Sequence, residues 1–346
     1  MRIAIVNDLK LAVEVLRRAV ATIPGATIAW IAEDGKQAVE KCAQDRPDII
    51  LMDMLMPVMN GVEATRRIMA KTPCPILVVT ATVEGNSSKV FEALGAGALD
   101  AVETPGLGAG GVVERAEPLI RKVQAIRMIA SSQNASAEPG FHFDAIPIQT
   151  PVPTPPMVAI GASTGGPMAL ALVLKALPRP IPWPIVIVQH VDLQFAPGLA
   201  SWLTAESGHT VRVAKAGETL RGGSTLLAAT NDHLLLDASG RLTYSHHPKD
   251  AVFRPSVDVF FESLTSPMVA RGVAVVLTGM GRDGAVGMGR LRKAGWHTIA
   301  QDKASSVVWG MPGACVEAGA AIEVLNTGDI GGAIVNAMAR KGAGNG

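Results

Sequence analysis

The sequence predicts two doubly wound α/β domains joined by a linker. Short, wholly apolar runs such as RIAIV, DIILMD and PILVVTA alternate with amphipathic stretches such as LAVEVLRRAV and GVEATRRIMA. That is the pattern of parallel strands covered by helices on both faces. The same alternation restarts in MVAIGAS, PIVIVQH and VAVVLTG. Between the two halves, Ser131–Pro156 (SSQNASAEPGFHFDAIPIQTPVPTPP) lacks periodicity and ends in closely spaced prolines, which favour an extended connection. We set one domain at 1–125, a Pro-rich linker at 126–154 and a second domain at 155–342. A chain of 346 residues is long enough to bury two separate cores.

In the first half the strands are expected at RIAIV, DIILMD, PILVVTA and ALDAV, with helices between them. In the second, helices separate the three apolar runs, and the polar stretch from Ser224 to Tyr244 reads as hairpins. The net charge of +1, with 18% charged residues, provides no basic field for nucleic acid or an anionic membrane. The second half has neither a basic recognition helix nor a basic stripe, which disfavours a DNA-binding output. Cys42, Cys74 and Cys315 are far apart, share no metal-ligand spacing and point to a reducing compartment. MRIAIVND turns polar too early for a signal peptide and reads as a buried strand. No apolar run approaches a membrane span. A cytoplasmic protein is expected.

Polar residues at the carboxyl ends of strands gather in one crevice of a doubly wound sheet. In the first half these are Asn7 and Asp8 after RIAIV, Asp53 after IILM, and Thr80 after PILVV. Two carboxylates there can hold Mg²⁺ while one accepts a phosphoryl group. Taken singly, Asp8 and Asp53 could equally be helix caps. With the turn MPVMNG following Asp53, residues 1 to about 125 resemble a response-regulator receiver domain, of flavodoxin-like fold. The resemblance implies phosphorylation of Asp53, Mg²⁺ held by Asp8 and Asp53, and Thr80 as the switch hydroxyl. Two departures stand out. Asn7-Asp8 replaces the usual pair of acids, and Thr104, in DAVETPG, replaces the usual lysine. Loss of a carboxylate weakens metal binding, and loss of the lysine removes a cation that would pair with the acyl phosphate. Phosphorylation is expected to persist with altered kinetics or coupling.

The second half opens on VAIGASTGGP, a strand breaking into glycines around Ser163. GASTGG lacks the Lys-Ser/Thr ending of a P-loop. Gly279-Met280-Gly281-Arg282-Asp283-Gly284 does have dinucleotide-binding spacing, with Asp302 placed as a ribose-binding acid. Against it, Asp283 would aim a carboxylate at a pyrophosphate. The rival to both is catalytic. Ser163, His190 and Asp283 each follow an apolar strand, so parallel strands would bring them to one sheet edge. A serine nucleophile needs an imidazole to take its proton, and the imidazole needs a carboxylate to orient it. The glycines allow a sharp turn that exposes the hydroxyl and brings amides to a developing oxyanion. Each residue alone has a plainer role, as cap, strand end or turn; together they favour the triad.

Residues from about 155 to 340 resemble the catalytic domain of the chemotaxis protein-glutamate methylesterase family, of Rossmann-like parallel-sheet fold. VAIGASTGGP, VQHV, FRPSVDVFF, VVLTGMGRDGAVGM and IAQDKASSVVWGMP carry the likeness. It implies Ser163 as nucleophile, His190 as base and Asp283 as orienting acid. Thr164 and the Met280 backbone would lie at the oxyanion, and Arg254 in the substrate cleft. An ion pair of Arg254 with Asp258 is an equal alternative. The implied activity is hydrolysis of glutamate γ-methyl esters, and deamidation of glutamines, on methyl-accepting chemoreceptors. A chemosensory histidine kinase would be the phosphodonor partner in this two-component pathway, and the receiver would cover the cleft until Asp53 is phosphorylated. Hydrolysis would need no cofactor, Mg²⁺ serving only the receiver. Asn7 and Thr104 resemble variants of alternative chemosensory pathways, such as surface-sensing Wsp-type systems. A non-catalytic, phosphorylation-controlled binding module is the alternative from another class. His209, His233, His246 and His247 are expected as surface or loop residues, since none has ligand-spaced partners for zinc. MDMLMPVM is expected to pack as core and turn.

Overall fold

The computed structural model describes residues 1–80, 87–108, 113–131, 154–249, 251 and 253–342. The chain divides into two compact units, Met1–Ser136 and Ala137–Gly346.

In the first unit β1 (Arg2–Val6), α1 (Lys10–Ala21), β2 (Thr27–Ala32), α2 (Gly35–Gln44), β3 (Ile49–Met52), α3 (Gly61–Lys71), β4 (Ile76–Thr80), α4 (Ser87–Gly95) and β5 (Asp100–Glu103) follow in order. A short antiparallel pair, β6 (Gly106–Leu107) and β7 (Val113–Glu114), precedes α5 (Glu117–Ser131). The five-stranded sheet runs β2-β1-β3-β4-β5, all parallel. β3 and β4 are buried at every position, as strands covered on both faces must be. The chain order reverses between β1 and β3, and a crevice opens at that switch point. Met52 and Met54 are fully buried. α5 runs past the boundary set at residue 125, because Leu119, Val123 and Ile126 recur at helical spacing and are buried. Most of the expected linker, residues 132–153, lies outside the described residues.

The second unit contains β8 (Val158–Ala162), α6 (Gly166–Lys175), β9 (Ile185–Gln189), α7 (Ala196–Ser207), β10 (Val211–Val213), β11 (Glu218–Thr219), β12 (Thr225–Leu227), β13 (His233–Leu236), β14 (Arg241–Ser245), α8 (Val257–Ser263), β15 (Val273–Val276), α9 (Ala285–Lys293), β16 (His297–Gln301), α10 (Met311–Glu317), β17 (Glu323–Leu325) and α11 (Thr327–Gly342). The seven-stranded sheet runs β10-β12-β9-β8-β15-β16-β17, again parallel throughout. The stretch from Ser224 is therefore not all hairpin. Thr225, Leu226 and Leu227 are buried and form a strand of the main sheet. Only β13 and β14 form a hairpin, with β11 alongside. Val257, Phe260 and Phe261 of α8 and Met288 and Leu291 of α9 pack with Ala159, Val188, Ala274 and Val276 of the sheet. β8 sits in the middle, with β9 on one side and β15 on the other.

Candidate active site

Register brings the three expected residues to one edge. Ala162 of β8 pairs with Gln189 of β9, so Ser163 and His190 leave the sheet side by side. The His190 amide donates to the Ala162 carbonyl at 3.0 Å. Gln189 Nε2 donates to the carbonyls of Ser163 (2.9 Å) and His190 (3.2 Å), locking both strand ends. On the other side of β8, the Ser163 amide donates to the Thr278 carbonyl at 3.0 Å. The turn into α6 passes through Gly165 at φ +76°, where a Cβ would come within 2.6 Å of Val307. Gly165, not Ser163, occupies the cap position of α6, so the plainer role for the serine is not realised.

His190 Nε2 is 2.8 Å from Asp283 Oδ2. The Ser256 hydroxyl and the Asp258 amide donate to Asp283 Oδ1 at 2.8 and 2.9 Å, and the Val257 amide donates to Oδ2 at 2.7 Å. Burial pushes the Asp283 pKa up, but His190 and these amides outweigh it and hold the carboxyl below its ordinary value. An ionised Asp283 accepts from Nε2–H, which leaves the lone pair on Nδ1. That atom is buried and has no partner among the described residues. The Phe253 ring stacks on the imidazole, centroids 4.3 Å apart and planes 9° from parallel. Ser163 is 7% exposed, and its hydroxyl is not hydrogen-bonded to the imidazole. The Thr164 and Met280 amides have no acceptor among the described residues, which leaves both available to an oxyanion.

Asp258 is not the ion-pair partner expected for Arg254. Its carboxylate accepts the Gly287 amide at 2.7 Å at the start of α9, and burial followed by the Asp283 charge raises its pKa. The exposed Arg254 instead donates to the Lys249 carbonyl. A protein carboxylate thus sits where a pyrophosphate would meet the α9 amides. Asp302 is engaged too, by the Ser305 amide and hydroxyl at 2.9 and 2.6 Å. The dinucleotide reading has no room.

In the first unit Asp53 and Asp8 flank the switch point between β1 and β3. Burial, and to a smaller degree the Asp8 charge, pushes Asp53 up to about 6 against the pull of the Met54 and Leu55 amides. Neither acid is a cap, since Leu9 and Asn60 occupy those positions for α1 and α3. Asn7 is buried, and its Oδ1 accepts the Leu9 amide at 2.8 Å. Thr80 is buried at the end of β4, and its carbonyl accepts the Thr104 amide at 2.9 Å. The Thr104 hydroxyl, where a receiver lysine is usual, is buried without a partner among the described residues.

Two of the four histidines expected at the surface are buried. His209 lies in the connection from α7 to β10 and faces Leu174, Leu177 and Arg179, and His233 begins β13 inside the site's support. His246 and His247 are exposed, His246 Nδ1 lying 2.5 Å from Asp232. Among the described residues no group of three or more histidines, cysteines and acids could hold a metal ion. Sequence reasoning named no role for Gln189, Phe253, Ser256 or His233. Ser256 did carry a signal, as a serine immediately before the apolar run VDVFF, where a helix cap belongs.

The CheB methylesterase family matches residues 158–334, and the response regulator receiver domain matches residues 3–106. The chain is 49% identical over 340 residues to the protein-glutamate methylesterase/protein-glutamine glutaminase of group 3 operon of Pseudomonas putida, covering 98% of this chain and 100% of that one. It is 50% identical to protein-glutamate methylesterase/protein-glutamine glutaminase 4 of Burkholderia thailandensis, covering 94% of each. The crystal structure of the Thermotoga maritima CheB methylesterase catalytic domain is 36% identical, covers 52% of this chain and 97% of that chain, and superposes with a TM-score of 0.50. No helix among the described residues is long and apolar enough to cross a membrane. A receiver joined to a serine-histidine-aspartate site, with this similarity along nearly its whole length, makes the chain a member of the CheB methylesterase family of response regulators.

Proposed function

We propose that this protein hydrolyses glutamate γ-methyl esters, and deamidates glutamines, on methyl-accepting chemoreceptors under control of Asp53 phosphorylation. The 2.8 Å contact of His190 Nε2 with a buried, multiply hydrogen-bonded Asp283 beside Ser163 carries the reading. His190 Nδ1 takes the Ser163 hydroxyl proton as the oxygen attacks the ester carbonyl. Asp283 stabilises the imidazolium so formed, and the Thr164 and Met280 amides receive the negative charge on the carbonyl oxygen. Collapse returns the proton to the leaving methoxide and releases methanol, or ammonia from a glutamine. Water, deprotonated by His190, then attacks the acyl-serine and frees the glutamate. Hydrolysis so written uses side chains and backbone alone.

A chemosensory histidine kinase supplies the phosphoryl group to Asp53. Asp8 and Asp53 would hold Mg²⁺, since a carboxylate raised chiefly by burial and further by a neighbouring acid forms with that acid a donor set that a dication relieves. When bound, the ion neutralises charge around the phosphoryl group. Phosphorylation then biases a two-state arrangement towards the active form.

Methanol release from methylated receptor membranes tests this, comparing wild type with Ser163→Ala, each with and without a small phosphodonor. Release that disappears in Ser163→Ala and rises with phosphodonor is expected. No release by wild type from cognate, demonstrably methylated receptors would refute the esterase and favour a phosphorylation-controlled binding module. In that case a serine-directed fluorophosphonate should label neither protein unless the binding module keeps a working triad.

A further inference from the structure

His233 is fully buried at the start of β13, and both nitrogens of its ring are engaged. Nδ1 accepts the Ser256 amide at 3.2 Å, and Nε2 contacts the Pro248 carbonyl at 3.0 Å. An amide only donates and a carbonyl only accepts, so the pair of contacts fixes the neutral Nε2–H tautomer. Burial lowers the pKa of this imidazole, which agrees with a neutral ring.

The two bonds reach opposite ends of one segment. Within it lies Phe253, stacked on His190, and at its end Ser256, whose hydroxyl donates to Asp283. Arg254 closes back on the Lys249 carbonyl inside the same segment. One side chain on the hairpin therefore ties both ends of the strap that touches the triad at two points.

We propose that His233 is a positioning residue of the esterase, its imidazole clasping Pro248 to Ser256 and thereby fixing Phe253 against His190 and Ser256 against Asp283. The proposal rests on the esterase reading for its kinetic consequence, but its structural consequence is independent of activity. Protonation would place a hydrogen on Nδ1 against the Ser256 amide, so only the neutral ring can act as the clasp. The charged and titratable groups facing it are Arg254, Asp232 and Asp283.

Two variants of the full chain test it. His233→Leu removes both bonds. His233→Asn keeps an acceptor at the position of Nδ1, and so the Ser256 bond, but does not reach Pro248. Two quantities are read. One is kcat and KM on methylated receptor membranes, scaled to the folded fraction by circular dichroism. The other is the proton magnetic resonance signal of the His190 ring N–H bonded to Asp283, which needs no substrate. His233→Leu should lower kcat about tenfold or more with KM within about twofold, and should move or broaden the His190 signal; a displacement of this kind is worth up to about 10²-fold. His233→Asn keeps one tie and loses the other, so its kcat should fall about threefold or more and its His190 signal should shift, both by less than in His233→Leu. A folded His233→Leu with wild-type kcat and signal would overturn the clasp, and so would a His233→Asn indistinguishable from wild type in both. If His233→Leu does not fold, a folded His233→Asn with a displaced signal is the supporting result and a wild-type signal the overturning one. Should wild type release no methanol, the esterase reading fails, and the His190 signal alone decides the clasp by the same criteria.

Discussion

Gly279→Ala is expected to disable the nucleophile without touching the triad's chemistry. Gly279 follows β15, and its backbone is pinned on both sides. Its amide donates to the Val308 carbonyl at 3.0 Å, and its carbonyl accepts the Gly310 and Met311 amides at 3.1 and 2.9 Å. A Cβ at this position would lie 2.3 Å from Met311 Sδ, 2.8 Å from Ser163 Cβ and 3.1 Å from the Ser163 nitrogen. Carbon atoms in contact prefer separations of about 3.5–4.0 Å, so Ser163 must move by roughly 0.7 Å or the backbone of residue 279 must break its bonds. Met311 is fully buried, which limits how far its side chain can swing away. Overpacking of this kind costs about 1–3 kcal/mol of stability. A nucleophile misplaced by close to an ångström loses up to about 10²-fold in rate. We expect kcat for methanol release to fall about 30-fold to 100-fold. KM should change little, and fluorophosphonate labelling should slow in parallel. Thermal unfolding of the same samples gives the stability cost. A folded variant with kcat within about threefold of wild type would refute the steric reasoning, because it would mean that the Ser163 turn yields without catalytic consequence.

Ser256→Ala removes the hydroxyl that donates to Asp283 at 2.8 Å and accepts the Val259 amide at 3.3 Å. A hydrogen bond to a charged group is worth about 1.5–3 kcal/mol, so kcat should fall about tenfold to 100-fold, with about 1 kcal/mol of stability lost with the cap; kcat unchanged on the receptor substrate would count against Ser256 as a support of the acid. Asp53→Asn should stabilise the receiver at neutral pH. The folded carboxyl, at about 6, binds its proton more tightly than the ordinary value of 3.8, so wild-type stability falls as pH rises through that window. The amide removes this penalty, about 1–2 kcal/mol after allowing for partial exposure. The gain should vanish near pH 4, and a receiver melting difference independent of pH would contradict it.

The central strands of both sheets were legible because β1, β3 and β4, and β8, β9 and β15, are buried almost throughout and read as continuous apolar runs; the more exposed edge strands β2, β10 and β17 were missed. The triad was legible for a related reason. Ser163, His190 and the loop of Asp283 follow β8, β9 and β15, and parallel neighbours deliver whatever follows them to one edge. Thr225–Leu227 was missed as a main-sheet strand, since a threonine and two leucines in a polar stretch give too short a signal to distinguish a sheet strand from a hairpin arm. The support of the site was harder still. His233 and Asp283 are far apart in the chain, and only the approach of the hairpin to the start of α8 gives His233 two partners. A lone histidine in NDHLLL carries no mark of that. The Arg254–Asp258 pairing failed because opposite charges four apart suggest an ion pair, whereas Asp258 turns inward to cap α9.

Asp53 and Asp283 show how one residue type serves opposite ends at the edges of two parallel sheets. Both are largely withdrawn from water, and burial is the largest influence on each. Asp283 is surrounded by His190 Nε2, the Ser256 hydroxyl and the Val257 and Asp258 amides, enough donors to keep it ionised. It is a fixed anion, fit to orient an imidazole through many turnovers. Asp53 has the Met54 and Leu55 amides and, against them, the charge of Asp8. Its ionised form is under-supported, and Thr104 contributes a hydroxyl where a cation would have helped. A carboxylate held in that condition gains from anything that neutralises or consumes its charge, whether a proton, a dication or a bond to phosphorus. The donor count around each carboxylate, more than its burial, therefore separates a permanent anion from a switch.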